Sequence, residues 1–410
     1  MNVQEKMQRY AALVVEVGVN VQQGQTLVVT APILAAPFVR LIARRAYEVG
    51  AKDVYIEWSD DEITRIKYEL APDEAFHEYP AFRAKGWEQF AEHDAAFLTV
   101  IAPAPDLLNG IDPERITNAN KAKSTALSRF RSYGMSNKIS WSIVTVPTTA
   151  WAAKVFPDVD EEHLIDSLWE AIFSAVRIHS DNPNEAWRKH LQTLHDKASQ
   201  LNARRYRALQ YRGDGTDLRI ELPREHLWVS DAGNVNAKGI PFVANIPSEE
   251  IWTAPLKEGV FGTVRSTRPL SWGGKIIKDA SFTFDKGKII GIQAAEGLDV
   301  LKKLIATDEG AAYLGEVALV PHRSPISDTG LLFYHTLFDE NAACHLAIGS
   351  AYPFCLEGGS DMAEHELDEH GLNTSLIHVD FMIGSSAMDI DGELTDGSTE
   401  PLFRKGNWAF

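Results

Sequence analysis

The stretch QTLVVTAPILAAPFVRLIARRAYEVGAKDVYIEW, residues 25–58, sets the fold class of the first half of the chain. Its apolar opening, 25–30, predicts a strand, and 37–48, closed by Gly50, predicts a helix. Residues 53–58, rich in β-branched and aromatic side chains, predict the next strand. Further apolar runs at 95–102 and 139–146 are bounded by proline and polar turns. This alternation predicts an α/β domain whose mostly parallel sheet is covered by helices.

Downstream, residues 161–178 place Leu164, Leu168, Ile172 and Val176 at near-helical spacing. After the breaker SDNPN, a longer polar helix is expected over 184–203. A helix of that kind suits a bridge, so the chain is divided into an α/β domain, 1–205, and a second domain, 206–410. There the pattern shifts to short strands, at 218–222, 260–265, 280–285 and 288–293. Asp285-Lys286-Gly287 forms a hairpin turn between the last two. Helices are expected at 298–306 and 341–348. The second domain thus reads as β-rich, mixed α+β.

At 410 residues the chain exceeds what one hydrophobic core fills. Its 57 acidic against 40 basic residues, a formal charge of −17, argue against nucleic acid and anionic membranes as partners. Most of that excess is read as a solvated surface. Two cysteines, Cys344 and Cys355, cannot staple a chain of this length. The N-terminus reads as an amphipathic helix broken by Glu5, Lys6 and Arg9, unlike a secretory signal. No apolar run approaches the roughly 20 residues a bilayer requires. A cytoplasmic protein is the expectation.

No GxGxxG, GxxxxGK[ST] or GxSxG occurs, which argues against nucleotide enzymes and nucleophile-elbow hydrolases. His365 and His370 flank an acidic segment that mimics HExxH with one residue too many. Five positions apart on a helix they point about 140° away from each other. That segment is read as solvated surface.

His378-Val379-Asp380, inside SLIHVDFMIG, is more informative. On a strand His378 and Asp380 project to one side, a natural chelate for a divalent ion. Alone, the pair reads equally well as a histidine hydrogen-bonded to a neighbouring aspartate. Glu316, in AYLGEVALV, is a carboxylate among apolar residues, where an unpaired charge costs several kcal/mol, and His345 lies in the apolar NAACHLAIG. Glu250, in VANIPSEEIWTAP, joins them, although sequence alone does not separate it from Glu249. Carboxylates with imidazoles suit zinc, cobalt or manganese rather than magnesium. Three carboxylates and two histidines exceed one catalytic zinc site and suit two ions sharing a carboxylate and a water or hydroxide.

NIPSEEIWTAP, LGEVALV, ENAACHLAIGSAYPF and HVDFMIG together resemble the thermophilic-type metallo-aminopeptidases, the M29 peptidase family. The resemblance runs along essentially the whole chain. It implies metal ligands at Glu250, Glu316, His345, His378 and Asp380, with Tyr352 in the site as a ligand or close neighbour. His335 is implied as a neighbour, an ordinary structural role being the alternative. A homodimer enclosing the catalytic cavity is likewise implied. The expected activity is removal of N-terminal residues from peptides with a free N-terminus. In that reading Glu316 or Glu249 carries a proton to the leaving nitrogen and Tyr352 stabilises the oxyanion. A metal-dependent amidase or deacylase, and a non-catalytic protein with structural metals, are the competing readings. The aromatic tail, Trp408 and Phe410, is expected to pack on its own domain or on a partner subunit.

Overall fold

A computed structural model describes residues 1–104, 107–272 and 275–410. By internal contacts the chain divides into one unit of Met1–His190 with Ala232–Pro247, and another of Leu191–Asp231 with Ser248–Phe410. The division thus falls inside the long helix Pro183–Arg204, where 205 was expected, and a short downstream segment returns to the first unit.

The first unit is built on a parallel four-stranded sheet in the order Asp53–Ser59, Thr26–Pro32, Ala96–Ile101, Trp141–Thr145. Val28 and Phe97 stand opposite each other and face Ala91, Trp87, Phe90, Phe130 and Tyr133. Leu27, Val29 and Leu98 point the other way and are also buried. Burial on both faces is why these strands read as continuous apolar runs. The α/β arrangement expected for this half is the one observed. The returning segment pairs beside it, Ile143 donating its N–H to the Ala244 carbonyl and Val243 to that of Gly18.

The second unit holds an antiparallel eight-stranded sheet. Its order is Lys288–Gln293, Ser281–Asp285, Val260–Arg265, Thr216–Glu221, Ala208–Gly213, Asp389–Glu393, Thr399–Arg404 and Asn407–Trp408. The C-terminal tail closes this sheet, with Trp408 on Phe403 and Lys197 over the Phe410 ring.

A smaller antiparallel sheet runs His378–Met382, His345–Gly349, Leu314–Leu319, Ile251–Thr253. One expectation fails here: 341–348 is not a helix. Glu340–Ala342 is a single 3-10 turn, and His345–Gly349 is a central strand buried on both faces. Such a strand shows no alternation of polarity, so its apolar run imitates a buried helix. Phe381, on the back of this sheet, packs on Phe282 of the large sheet at 4.7 Å between ring centroids.

Close strand approach beside Glu316 depends on Gly315. A methyl group there would lie 2.3 Å from the Gly349 carbonyl oxygen and 2.4 Å from that of Ser350. Backbone cannot yield as a side-chain tip does. Gly315→Ala is therefore expected to cost at least the roughly 1–3 kcal/mol of an overpacked core, read as a lower urea midpoint at unchanged slope. A midpoint equal to wild type would contradict this packing.

Among the described residues, no helix is long and apolar enough to cross a membrane. Cys344 and Cys355 are both buried and free. The segment that mimics HExxH forms the short helix Glu364–Glu369, exposed except at Leu367.

Candidate metal centre

Strand register explains why distant residues meet. Glu316 stands opposite Ala347, which stands opposite Asp380; one step along, Gly349 faces His378. Positions 345, 347 and 349 share a face of the central strand, so His345, Glu316, Asp380 and His378 all project to one side. The small Ala347 and Gly349 leave room between them. Glu250 enters from the residue just before the edge strand Ile251–Thr253.

The polar atoms converge closely. His345 Nε2 is 3.1 Å from Glu250 Oε2 and 3.4 Å from Glu316 Oε1. His378 Nε2 is 3.3 Å from Glu316 Oε2 and 3.4 Å from Asp380 Oδ1. Glu316 therefore turns one oxygen to each imidazole and belongs to both groups of potential ligands. Each histidine is oriented from behind, His345 Nδ1 by the Ala343 carbonyl at 3.1 Å and His378 Nδ1 by the Ser350 carbonyl at 2.7 Å. That arrangement aims both Nε2 atoms inward, as in oriented metal-binding histidines.

These spacings test whether the residues suit a metal. Charge-assisted N–H···O contacts close to roughly 2.7–2.9 Å. Ligand atoms around one tetrahedral ion, with bonds of 2.0–2.2 Å, sit roughly 3.3 Å apart. The four separations follow the second figure. In addition, no lysine or arginine lies within ion-pair distance of Glu250, Glu316 or Asp380 among the described residues. The donor set fits divalent metal.

Without metal, protons do the balancing. Burial would raise Glu316, but its two imidazole partners outweigh that and hold it well below the usual carboxylate range. Glu250, buried and with one imidazole partner, is pushed up to about 7. Burial disfavours charge on His345 and His378, yet the surrounding carboxylates raise both well above their ordinary value.

Tyr352 sits against this cluster, its ring centroid 4.9 Å from that of His378, and it stacks on Phe354. Burial and then the charges of Glu316 and Asp380 push its hydroxyl well above the usual phenol value, so it is a proton donor at neutral pH. Glu249 is buried, its backbone N–H donating to Asn341 Oδ1 at 2.6 Å. It is not among the converging ligand atoms. His335 is also outside them; its N–H bonds the Asp339 carboxylate and its ring meets Phe338 edge-on. Burial lowers its pKa to about 4.

Sequence reasoning passed over Glu340, whose carboxyl lies in the field of Glu250, Asp380, His345 and Glu316. Burial first, then the Glu250 and Asp380 charges, raise it well above the ordinary range. Its position at the head of the apolar run ENAACHLAIG was the available signal.

The sequence profile of the thermophilic metalloprotease (M29) family matches residues 3–408. The chain belongs to that family. It is 55% identical over 406 residues to aminopeptidase AmpS of Bacillus subtilis (strain 168), covering 99% of each chain. Aminopeptidase 2 of Geobacillus stearothermophilus is 52% identical over 407 residues, covering 99% of this chain and 98% of the relative. The solved structure of wild-type AmpT from Thermus thermophilus superposes with a TM-score of 0.94 at 41% identity, covering 100% of both. The family resemblance read from four motifs is therefore a full-length one, and a metalloprotease family accords with the clustered carboxylates and imidazoles.

Proposed function

We propose that this protein is a metal-dependent aminopeptidase that removes N-terminal residues through a dinuclear centre. The observation that carries the reading is the Glu316 carboxylate, one oxygen toward His345 and the other toward His378. Glu250, Glu316 and His345 would hold one ion, and Glu316, His378 and Asp380 the other, with zinc, cobalt or manganese suited to the donors. Two divalent ions supply a water acidic enough to be a nucleophile at neutral pH and an electrophile for the carbonyl oxygen.

The chain's own groups do the remaining work. His345 and His378 hold their inward nitrogens fixed through carbonyl contacts behind the rings. Tyr352, protonated at neutral pH, donates a hydrogen bond to the oxygen that gains charge as the peptide carbonyl becomes tetrahedral. With both Glu316 oxygens committed, Glu249 is the carboxylate assigned to pass a proton to the leaving nitrogen. Cytoplasmic location, expected from the sequence, and a homodimer, implied by the family resemblance, belong to the same proposal.

The test is metal content per chain alongside hydrolysis of one peptide in N-terminally free and N-acetylated forms. The free peptide is expected to be shortened from its N-terminus and the acetylated one to be left whole. Equal cleavage of both would replace the aminopeptidase reading by that of a general metal-dependent amidase.

A further inference from the structure

The face of the small sheet that carries the potential ligands extends past them. Ala318 stands opposite His345 on one side and Trp252 on the other. Trp252 pairs in turn with Val229 through two reciprocal N–H···O=C bonds of 2.9 Å. Residues directly opposite each other on antiparallel strands share a face, so Trp252 and Val229 continue the row that His345 begins. From the His378 end, Tyr352 stacks on Phe354 at 5.1 Å between ring centroids. The two ends meet in one apolar cluster. Trp252, Ala318 and Cys355 are buried in it, while Val229 and Phe354 pack against it and keep part of their surface exposed. The Cys355 thiol lies in the field of Glu316, which sets the cluster beside the ligands.

That wall has a definite chemistry. None of its members among the described residues is charged, so it rewards burial of apolar surface and penalises an unpaired charge laid on it. It is also closed, by the buried Leu356, Leu367 and Leu372. A peptide cannot run on through packed core, so whatever lies on the wall must end there. The side chain of a substrate's first residue ends; the chain beyond the scissile bond continues.

We propose that Trp252, Val229 and Phe354 form the wall that receives the side chain of the substrate's first residue and so direct the enzyme to peptides that begin with a large apolar or aromatic residue. The inference rests on the aminopeptidase reading and adds the residues that choose among N-termini.

Aminoacyl-p-nitroanilides vary the first residue alone, and a series of leucyl dipeptides varies the second alone. The metal-loaded wild-type protein is expected to favour the leucyl over the alanyl anilide by roughly 10–100-fold in kcat/KM, the worth of three buried methylenes. Phe354→Ala should lower the ratio of phenylalanyl to alanyl anilide by about tenfold at wild-type metal content. Val229→Glu should shift preference from the leucyl toward the lysyl anilide, a gain that general damage does not produce. The order of preference in the dipeptide series should stay as in wild type. First-residue ratios equal to wild type in the folded variants overturn the assignment, as does a uniform fall for every anilide. A change confined to the dipeptide series also overturns it, since the wall would then take the second residue. Should one variant fail to fold, the other is read alone. Failure of the metal-loaded wild-type protein to cleave any of these substrates would instead overturn the aminopeptidase reading, and this one with it.

Discussion

Glu316→Gln is expected to remove leucyl-p-nitroanilide hydrolysis while leaving the fold intact. Glutamine preserves shape but is neutral, and only one of its two terminal atoms can accept. Because Glu316 is common to both ligand groups, the change strikes them together, where loss of Glu250 or Asp380 strikes one. Losing a partner that merely orients a ligand costs roughly 10–100-fold in metal affinity or activity, so a shared ligand should cost more. Bound metal should fall below two equivalents per chain in the same preparation. The fold should survive because Glu316 sits on a strand held by its neighbours on both sides. Glu369→Gln, on the exposed helix that imitates HExxH, is the control and should turn over as wild type does. Turnover near wild type in Glu316→Gln, with metal retained, would be incompatible with a shared carboxylate.

Chelation should abolish activity reversibly with little change in circular dichroism. The secondary structure rests on backbone ladders and an apolar core rather than on ions. Thermal stability should nevertheless drop, since a ligand at 100 times its dissociation constant contributes about 2.7 kcal/mol. The pH dependence has a definite sign. In the metal-free protein His345 and His378 are raised and Glu250 is pushed up to about 7, so these sites hold protons near neutrality. A protonated imidazole cannot be a ligand, so metal uptake must release protons. Affinity should therefore strengthen as pH rises through these values and weaken as it falls below them. Calorimetric titration of the metal-free protein in two buffers of different ionisation heat measures the release. Identical heats in both buffers would mean that no protons leave, and the ligand assignment would fall.

Much of the site was legible because buried charge is conspicuous. Glu316 in AYLGEVALV and His345 in NAACHLAIG stood out as ionisable groups in apolar segments, and HVD carried a chelate geometry in its strand period. Glu249 and Glu250 illustrate the limit, being chemically identical neighbours. The structure gives them different surroundings: Glu250 faces His345, while the Glu249 backbone is tied to Asn341. Glu340 went unread because it adjoins the polar residues Asp339 and Asn341 at the head of its apolar run.

From local pattern alone the sequence determined the α/β first half, the β-rich second half, and a set of acids and imidazoles suited to divalent metal. Those features follow from side-chain periodicity and the cost of burying charge, both of which act over a few residues. Only the tertiary structure decided that residues 345–349 form a strand and that its register sets Glu316, His345, His378 and Asp380 on one face. It also decided that Glu316 divides its oxygens between two imidazoles. Each of these strand pairings joins segments roughly thirty residues apart, and a slip of one residue would turn these groups to the opposite face.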